Sequence, residues 1–354
     1  MSALLSKPEW WLLSVPFFLV LFGGLYSDDS SYWLTRMRIK IPFLLLPMAF
    51  YLLPGINKKT YEQIHLIFIL IITLSSLPVV WGMINDYSSI VDALGHGRPV
   101  ATPVSHIRYS LFVALAISSS FIISENKHLK TRYQNWLRIN GFYLIFFIHF
   151  LAVRSGIVAL YLVALYFIFR QLYEGRRKRS AIILGTVLLT IPFLAYQLIP
   201  SFKERINYMV EDASQYQKME WNAYSDAERI LSLRAGLDIS KRYPVFGAGT
   251  GDLRGEMQTY FYDHYDKDTF IMPHNQFISI LAGSGLVGLL LFVLALVFPV
   301  CHCYRTWPGN HLFIAMSIII FISLMVENTF ETSIGVAFYL FFTLIGLNHT
   351  KTLV

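Results

Sequence analysis

The chain has 354 residues, of which 55% are hydrophobic and only 14% are charged, and its mean hydropathy is +0.51. Average soluble domains carry roughly 25% charged residues, so this composition excludes an ordinary soluble protein. The net charge of +7 and the pI near 9.2 could indicate nucleic-acid binding. The basic residues, however, lie in short clusters between long apolar runs, a pattern typical of membrane-protein loops. We therefore predict no nucleic-acid partner.

Ten apolar stretches are candidates for membrane-spanning helices, because about 20 apolar residues cross the ~30 Å of hydrocarbon in a bilayer. In chain order they lie near residues 9–26, 39–54, 63–85, 107–125, 137–153, 155–172, 180–199, 285–303, 311–326 and 332–348. The second and the ninth are short. The composition thus predicts an all-α polytopic membrane protein with about 10, and at most 12, transmembrane helices and one large, mostly helical extracytoplasmic loop.

The orientation of the chain follows from four consecutive basic residues at 176–179, since short basic loops stay in the cytoplasm. Counting spans outward from this loop places the basic loop at residues 58–59 in the cytoplasm as well. One cluster disagrees, because Arg36, Arg38 and Lys40 fall at the outer end of the second span. Either a helix is miscounted, or these cations face an anionic lipid head group.

The same count puts the long hydrophilic segment 200–273 outside the cytoplasmic membrane. This segment holds nine basic and twelve acidic residues, a net charge of −3, together with twelve aromatic residues. Long loops in compact proteins are usually functional. Its aromatic rings could bind sugars, or they could hold a small cap domain together. The chain thus divides into N-terminal transmembrane helices (1–199), an extracytoplasmic loop domain (200–273) and C-terminal transmembrane helices (274–354).

Within the loop domain, a helix and a glycine-rich turn follow one another. Ser225-Asp226-Ala227-Glu228 has the spacing of a capping box, which begins a helix. That helix leaves Arg229 and Arg234 off its apolar face. The turn that follows it contains three alternating glycines. They are Gly247, Gly249 and Gly251. Such a turn can expose main-chain amides to an anion, and the alternative is a plain flexible turn.

The loop domain ends at a predicted helix start. Proline in the first turn of a helix is a start signal, so Pro273 puts His274 at an outward-facing helix N-terminus. Residues 283–288 then spell G-x-G-x-x-G, the pattern of dinucleotide-binding loops. No strand precedes this stretch and no βαβ unit surrounds it, so it predicts a helix break followed by close helix packing through small residues.

Several ionisable residues near the predicted outer ends of the spans are further candidates, since charge is costly at a membrane. Arg154 lies between two spans, where it could position an anionic ligand or snorkel to the interface. His149, one turn earlier, is predicted to be a packing residue. Glu327 and Glu331 flank the outer turn between the last two spans, and we expect them to pair with arginines.

These residues together resemble the signature of the O-antigen ligase and polymerase superfamily. His274-Asn275, nine residues and then Gly285-Leu286-Val287-Gly288 are similar to its H-N-x9-G-x-x-G motif. Arg154-Ser155-Gly156 is similar to the Arg-Ser-Gly with which a span of the family begins, and Arg229 to its helix-opening arginine. The chain departs from the family at Leu233, where the family often has tryptophan, and in having fewer than about twelve spans.

The resemblance implies a metal-independent membrane glycosyltransferase without a cofactor, in the bacterial inner membrane with its active site facing the periplasm. Its implied partners are membrane lipids, an undecaprenyl diphosphate-linked glycan as donor and lipid A-core as acceptor. His274 would be the catalytic base, since a histidine pKa suits that role. Arg154 and Arg229 would hold the diphosphate, since arginine forks bind phosphate oxygens. Further substrate-binding candidates are Arg36, Arg38, Arg234, Asn275, Gly247, Gly249 and Gly251.

Four functions are compatible with these sequence features. The first is an O-antigen ligase that works by a single inverting displacement, and a single large outer loop favours it. The second is an O-antigen or capsule repeat-unit polymerase, which differs only in its acceptor. A protein O-oligosaccharyltransferase is a further variant. A polysaccharide transporter is the alternative from another class, but it predicts inverted repeats and broken helices at the membrane midplane, which the sequence does not show.

Overall fold

The computed structural model of the chain describes residues 6–175, 178–216 and 225–353, and the side chains of 211–216 and 225–227 are outside this description. All the regular elements in these ranges are helical. Two residues of the predicted cytoplasmic cluster, Arg176 and Arg177, lie outside the described residues, as do Trp221 and Tyr224 of the loop domain. The predicted all-α polytopic class is confirmed.

The helices follow one another with short connections. They are α1 (Pro8–Tyr26, with 3-10 turns), α2 (Ser30–Leu52), α3 (Lys58–Asn85), α4 (Tyr87–Gly95), α5 (His106–Ser124), α6 (Thr131–Leu151), α7 (Arg154–Glu174), α8 (Lys178–Leu198), α9 (Pro200–Tyr216), α10 (Ser225–Arg242), α11 (Leu253–Tyr265), α12 (Gln276–Thr306), α13 (His311–Val326) and α14 (Ser333–Thr350). A 3-10 turn, Thr329–Glu331, joins α13 to α14.

Seven helices in the described part of the chain are long and apolar enough to cross a membrane. They are α1, α3, α5, α7, α8, α12 and α14. The other three predicted spans are also helical, but these helices are more polar or shorter than the seven. Helix α2 carries Arg36, Arg38 and Lys40 in its first half. The first turn of α6 is polar, and α13 has only 16 residues.

The described helices form two compact units. The first contains residues 1–61, 221–314 and 323–354, and the second contains residues 62–220 and 315–322. These units cut across the three predicted segments of the chain, whose topological division stays a prediction. In the second unit α5 packs against α6 and α7, and α9 packs against α4 and α8. Hydroxyl groups cross between its helices, for example from Ser76 to Tyr143 at 2.7 Å.

The first unit joins helices from the two ends of the chain to α10, α11 and α12. Helix α14 packs against α2, α1 packs against α2 and α12, and α10 packs against α11 and α12. The core between α10, α11 and the start of α12 includes the fully buried residues Ile239, Met257 and Phe261. Of the aromatic run in α11, Tyr260 and Phe261 are buried whereas Tyr262 is exposed. Two of these three rings therefore pack in the core between α10, α11 and the start of α12.

Helix α12 is broken at Gly285, whose φ of 65° and ψ of −169° are non-helical. This part of conformational space is open essentially to glycine alone. A Cβ at this position would also overlap the main chain of Val245 and Phe246. The predicted helix break in the stretch 283–288 is thus confirmed, and the reason is a close approach of the preceding turn to the helix backbone.

Candidate functional site

His274 lies where α10, α12 and the end of α13 meet in the first unit. Its main-chain amide donates a hydrogen bond to the hydroxyl of Ser232 on α10, at 3.3 Å. Asn275 is the N-cap of α12, and its side-chain oxygen accepts from the amides of Phe277 and Ile278 at 2.9 and 3.1 Å. Asparagine is among the residues that satisfy helix N-termini best. Its Nδ2 donates to the carbonyl of Met325 at 3.1 Å, so the peptide that carries the histidine is held on two sides.

Arg229 acts electrostatically on the His274 imidazole. Burial lowers the pKa of His274, and the Arg229 guanidinium lowers this pKa further. Both effects favour the neutral ring, because burial and a neighbouring cation disfavour a second positive charge. Ser232 also links the two residues through the backbone, since its hydroxyl donates to the carbonyl of Arg229 at 2.7 Å. The structure therefore brings together two of the three residues predicted as catalytic.

Next to Asn275, Gln276 enters a buried polar network around Glu331. The Gln276 side chain is fully buried, accepts from the amide of Phe330 at 2.8 Å and donates to Glu331 Oε1 at 3.4 Å. Lys40, only 1% exposed, donates to the same Glu331 oxygen at 2.6 Å and to the carbonyl of Phe330. Arg36 Nη1 lies 3.4 Å from Glu331 Oε2. Glu331 therefore pairs with Lys40 and Arg36 of α2.

The ionised form of Glu331 is favoured in this network. Burial raises the pKa of the carboxyl group, but Lys40 and Arg36, together with the hydrogen bond from Gln276, lower the pKa below its ordinary value. A buried carboxylate of this kind needs both a counter-charge and hydrogen bonds. The network supplies both, with Lys40 as the nearest cation.

The glycine turn that precedes α11 docks on the break in α12 through its main chain. The amides of Ala248 and Gly249 donate to the carbonyls of Ala282 and Gly283 at 2.9 and 3.1 Å. In return, the amides of Leu286 and Val287 donate to the carbonyls of residues 244 and 245 at 2.9 and 3.3 Å. Because the φ of Gly249 is 95°, in the left-handed region, the chain can reverse at this point.

The prediction that this turn exposes its main-chain amides is wrong. Gly247 donates its amide to Tyr243, Gly249 donates to Gly283, and Gly251 donates to the hydroxyl of Ser27 at 3.0 Å. All three amides are therefore used by protein acceptors instead of facing an anion. The geometry supports a scaffold role for Gly247, Gly249 and Gly251, and their predicted role in substrate binding gains no support from it.

The end of α1 also binds the glycine turn. The Asp252 carboxylate accepts from the amides of Asp28 and Asp29 at 2.9 Å each. The hydroxyl of Tyr26 donates to the carbonyl of Phe246 at 2.6 Å. These contacts join residues more than 200 positions apart in the chain. The N-terminal helix is therefore part of the scaffold that holds the His274 helix.

The basic residues of α2 separate into two groups. Arg36 and Lys40 are four residues apart and share one helix face, which is the face that meets Glu331. Arg38 lies between them in sequence, points away from this face and is exposed. The structure thus brings Arg36 to the site but not Arg38. Arg234 is exposed on α10 and acts electrostatically on Tyr260, away from the face that carries Ser232.

Three residues at the site were missed as site residues in the sequence. Lys40 and Gln276 are buried in the Glu331 network, and Arg254 of α11 lies over the rings of Phe270 and Tyr32 at 4.3 and 5.8 Å. The i, i+4 spacing of Arg36 and Lys40 could have indicated a shared acidic partner. The sequence gives no comparable signal for Gln276 or Arg254.

Arg154 and His149 belong to the second unit. Arg154 begins α7 after a left-handed residue, Ala152, that ends α6. Close packing follows at once, since a Cβ on Gly156 would overlap Ser110 on α5. His149 bonds through Nδ1 to the carbonyl of Ile145 and through Nε2 to the Tyr161 hydroxyl, both at 2.8 Å. His149 is thus a satisfied packing residue, as predicted, whereas the role of Arg154 stays a prediction.

A comparison with protein families matches residues 139–293 to the family model of O-antigen ligase. The matched range contains Arg154, Arg229, His274 and the broken start of α12. No curated protein matches the chain. The residues that the structure brings together, His274 and Arg229 beside the broken helix, thus all lie in the part of the chain that the family model matches. Residues 139–293 of this multi-pass membrane protein are thus similar to the O-antigen ligase family.

Proposed function

We propose that the protein is an O-antigen ligase, a glycosyltransferase of the bacterial inner membrane whose active site faces the periplasm. It transfers a glycan from undecaprenyl diphosphate to a hydroxyl group of the lipid A-core. The observation that carries this proposal is the position of His274 at the N-terminus of α12, where Ser232 ties its peptide to the helical turn of Arg229. The match to O-antigen ligase supports the class of reaction.

The base has to be a group that is neutral near physiological pH and accessible to an acceptor hydroxyl. His274 is half-buried, and among the described residues no protein group hydrogen-bonds to its imidazole. The pKa of this imidazole is lowered by burial and by Arg229, so the ring is in its proton-accepting form at neutral pH. Asn275 and Ser232 hold the peptide on which the ring is mounted.

The reaction is a single displacement. His274 takes the proton of the acceptor hydroxyl while its oxygen bonds to the anomeric carbon of the donor sugar. The bond from that carbon to the diphosphate oxygen breaks, and the diphosphate leaves with the electron pair. Arginine stabilises the charge that develops on the leaving group. We assign this to Arg229, and to Arg154 on the strength of its Arg-Ser-Gly sequence. Attack from the opposite face inverts the anomeric carbon.

The experiment is a deletion of the gene, followed by complementation and separation of lipopolysaccharide by gel electrophoresis. A ligase deletion leaves core without a ladder, while full-length polymer accumulates on the carrier. A single repeat unit attached to the core would instead identify a polymerase. We expect the wild-type chain and His96→Ala to restore the ladder, because His96 is exposed on the second unit. We expect His274→Ala to restore nothing at equal membrane abundance, and a normal ladder from that variant would refute the base assignment.

A further inference from the structure

Glu331 contacts both Arg36 and the start of the His274 helix. Its Oε2 and its main-chain carbonyl both accept from Arg36 Nη1 at 3.4 Å. Its Oε1 accepts from Gln276, the residue two positions after His274. The two carboxylate oxygens therefore serve two different parts of the site. Glu331 and Arg36 lie outside residues 139–293, the range that matches the family, whereas Gln276 lies within it.

The position of Glu331, whose side chain is 18% exposed, is fixed by an ion pair with a buried lysine. Lys40 Nζ lies 2.6 Å from Glu331 Oε1, and the Lys40 side chain is 1% exposed. Burying two charges costs free energy that a hydrophobic pair of similar volume would avoid. A pair in such a place is therefore weak evidence for a role in stability alone.

Arg36 is the group that the pair holds. Its guanidinium lies over the Tyr32 ring at 4.7 Å, in addition to its contact with Glu331. Arginine in this setting presents a planar fork whose direction is fixed by stacking and by one carboxylate. Although its Nε is buried without a hydrogen-bond partner among the described residues, the Arg36 side chain as a whole is 21% exposed. Donors of a fixed guanidinium are what a phosphate oxygen requires.

We infer that Glu331 is a positioning residue that presents Arg36 to a phosphate group of the lipid-linked donor and locks Gln276, and with it the peptide of His274. This inference rests on the proposed function. Lys40 holds Glu331 in place and does not touch the substrate. Glu331 therefore affects donor affinity through Arg36 and turnover through Gln276 and the peptide of His274.

The test compares neutral replacements of the Lys40–Glu331 pair with neutral replacements of a more exposed ion pair in the same unit. Glu331→Gln leaves the Lys40 charge buried without its counter-charge, and we expect this variant to lose thermal stability in detergent. The double variant Lys40→Met and Glu331→Met removes both charges together and should keep the wild-type melting temperature. The control removes Arg242 and Glu256, which pair at 2.8 Å on α10 and α11, as Arg242→Met and Glu256→Gln.

Two readouts separate positioning from stability. Affinity is measured with undecaprenyl diphosphate as the probe, and turnover with the lipid-linked glycan and lipid A-core. We expect the double variant to bind undecaprenyl diphosphate about tenfold more weakly and to turn over roughly 100-fold more slowly, since misplacement by about 1 Å can cost this much. The control should match the wild type. Arg36→Gln added to the double variant should weaken binding no further, because coupled residues are not additive.

The outcomes distinguish the inference from the proposed function. A stable double variant with wild-type affinity and turnover would overturn the inference while leaving the ligase assignment intact. Further weakening by Arg36→Gln would also overturn it, because Glu331 would then not act through Arg36. A wild-type protein that neither binds undecaprenyl diphosphate nor transfers a glycan would overturn both.

Discussion

The hydroxyl of Ser232 accepts the main-chain amide of His274 and donates to the carbonyl of Arg229. One side chain on α10 thus ties the peptide of the proposed base to the helical turn of the arginine beside it. Because Ser232 is itself fully buried, this connection is shielded from water. The separation of His274 from Arg229 is therefore set by the register of α10.

Removing the Ser232 hydroxyl should loosen this connection. Ser232→Ala leaves the His274 amide without its side-chain acceptor, and we expect a loss of about 1 kcal/mol in the free energy of unfolding together with a fall in turnover. Ser240→Ala is the matched control, because Ser240 makes the same kind of bond to Leu237 on the same helix. Thermal melting and transfer assays of both variants check this, and equal turnover in the two would contradict it.

The pH dependence of transfer should report the charge of Arg229. This charge lowers the pKa of His274, and only the neutral imidazole can accept a proton. Arg229→Gln should therefore raise the pKa and move the acidic limb of the kcat/KM profile to higher pH, since kcat/KM reports the free enzyme. Arg229→Lys keeps the charge and should leave the limb in place. A limb that does not move in Arg229→Gln would show that the titrating group is not His274.

Lysine in place of the proposed diphosphate-binding arginines should impair donor binding. Lysine keeps the charge but loses the bidentate fork, so we expect Arg229→Lys and Arg154→Lys each to raise the KM for the lipid-linked donor by about tenfold, close to 1.4 kcal/mol. Arg38→Lys provides the control on an exposed arginine of α2. Unchanged donor binding in either variant would remove that arginine from the proposed role.

The break in α12 should tolerate no side chain. Gly285→Ala places a Cβ against the main chain of Val245 and Phe246 in a conformation open to glycine. We expect it to cost at least ~1–3 kcal/mol and to abolish transfer. Gly255→Ala is the opposite case, because a Cβ there meets nothing within 4 Å on α11, and it should stabilise the helix by about 0.5–1 kcal/mol. Apparent melting temperatures of the two variants that shift in the same direction would contradict this reading.

The local features of the site could be predicted from sequence. Pro273 marked the beginning of α12, the glycines at 283–288 marked its break, and the motif around His274 and Arg229 indicated that these two act together. Each of these features is encoded by a few neighbouring residues or by a recurrent sequence pattern, so the sequence alone is enough to predict it. Helix positions followed in the same way from the lengths of the apolar runs.

The long-range contacts could not be predicted. Lys40 and Glu331 are separated by 291 positions, and no local pattern links a basic residue in α2 to the turn before α14. The glycine turn shows the same difficulty, because its sequence is equally compatible with exposed amides and with amides given to another segment. The choice depended on Ala282 and Gly283 lying opposite the turn, and only the fold determines that.

The composition of the first unit has a consequence for biogenesis. The segment with His274 is bound by residues 20–29 through the glycine turn and by the 329–331 turn through Gln276. Translation therefore delivers the earliest partner long before the histidine and the last partner only after it. During synthesis, α1 and α2 are therefore without their partners from the C-terminal part of the first unit while the helices of the second unit are inserted. A chain truncated after residue 300 would contain every residue of the H-N-x9-G-x-x-G motif but would lack the 329–331 turn that binds Gln276.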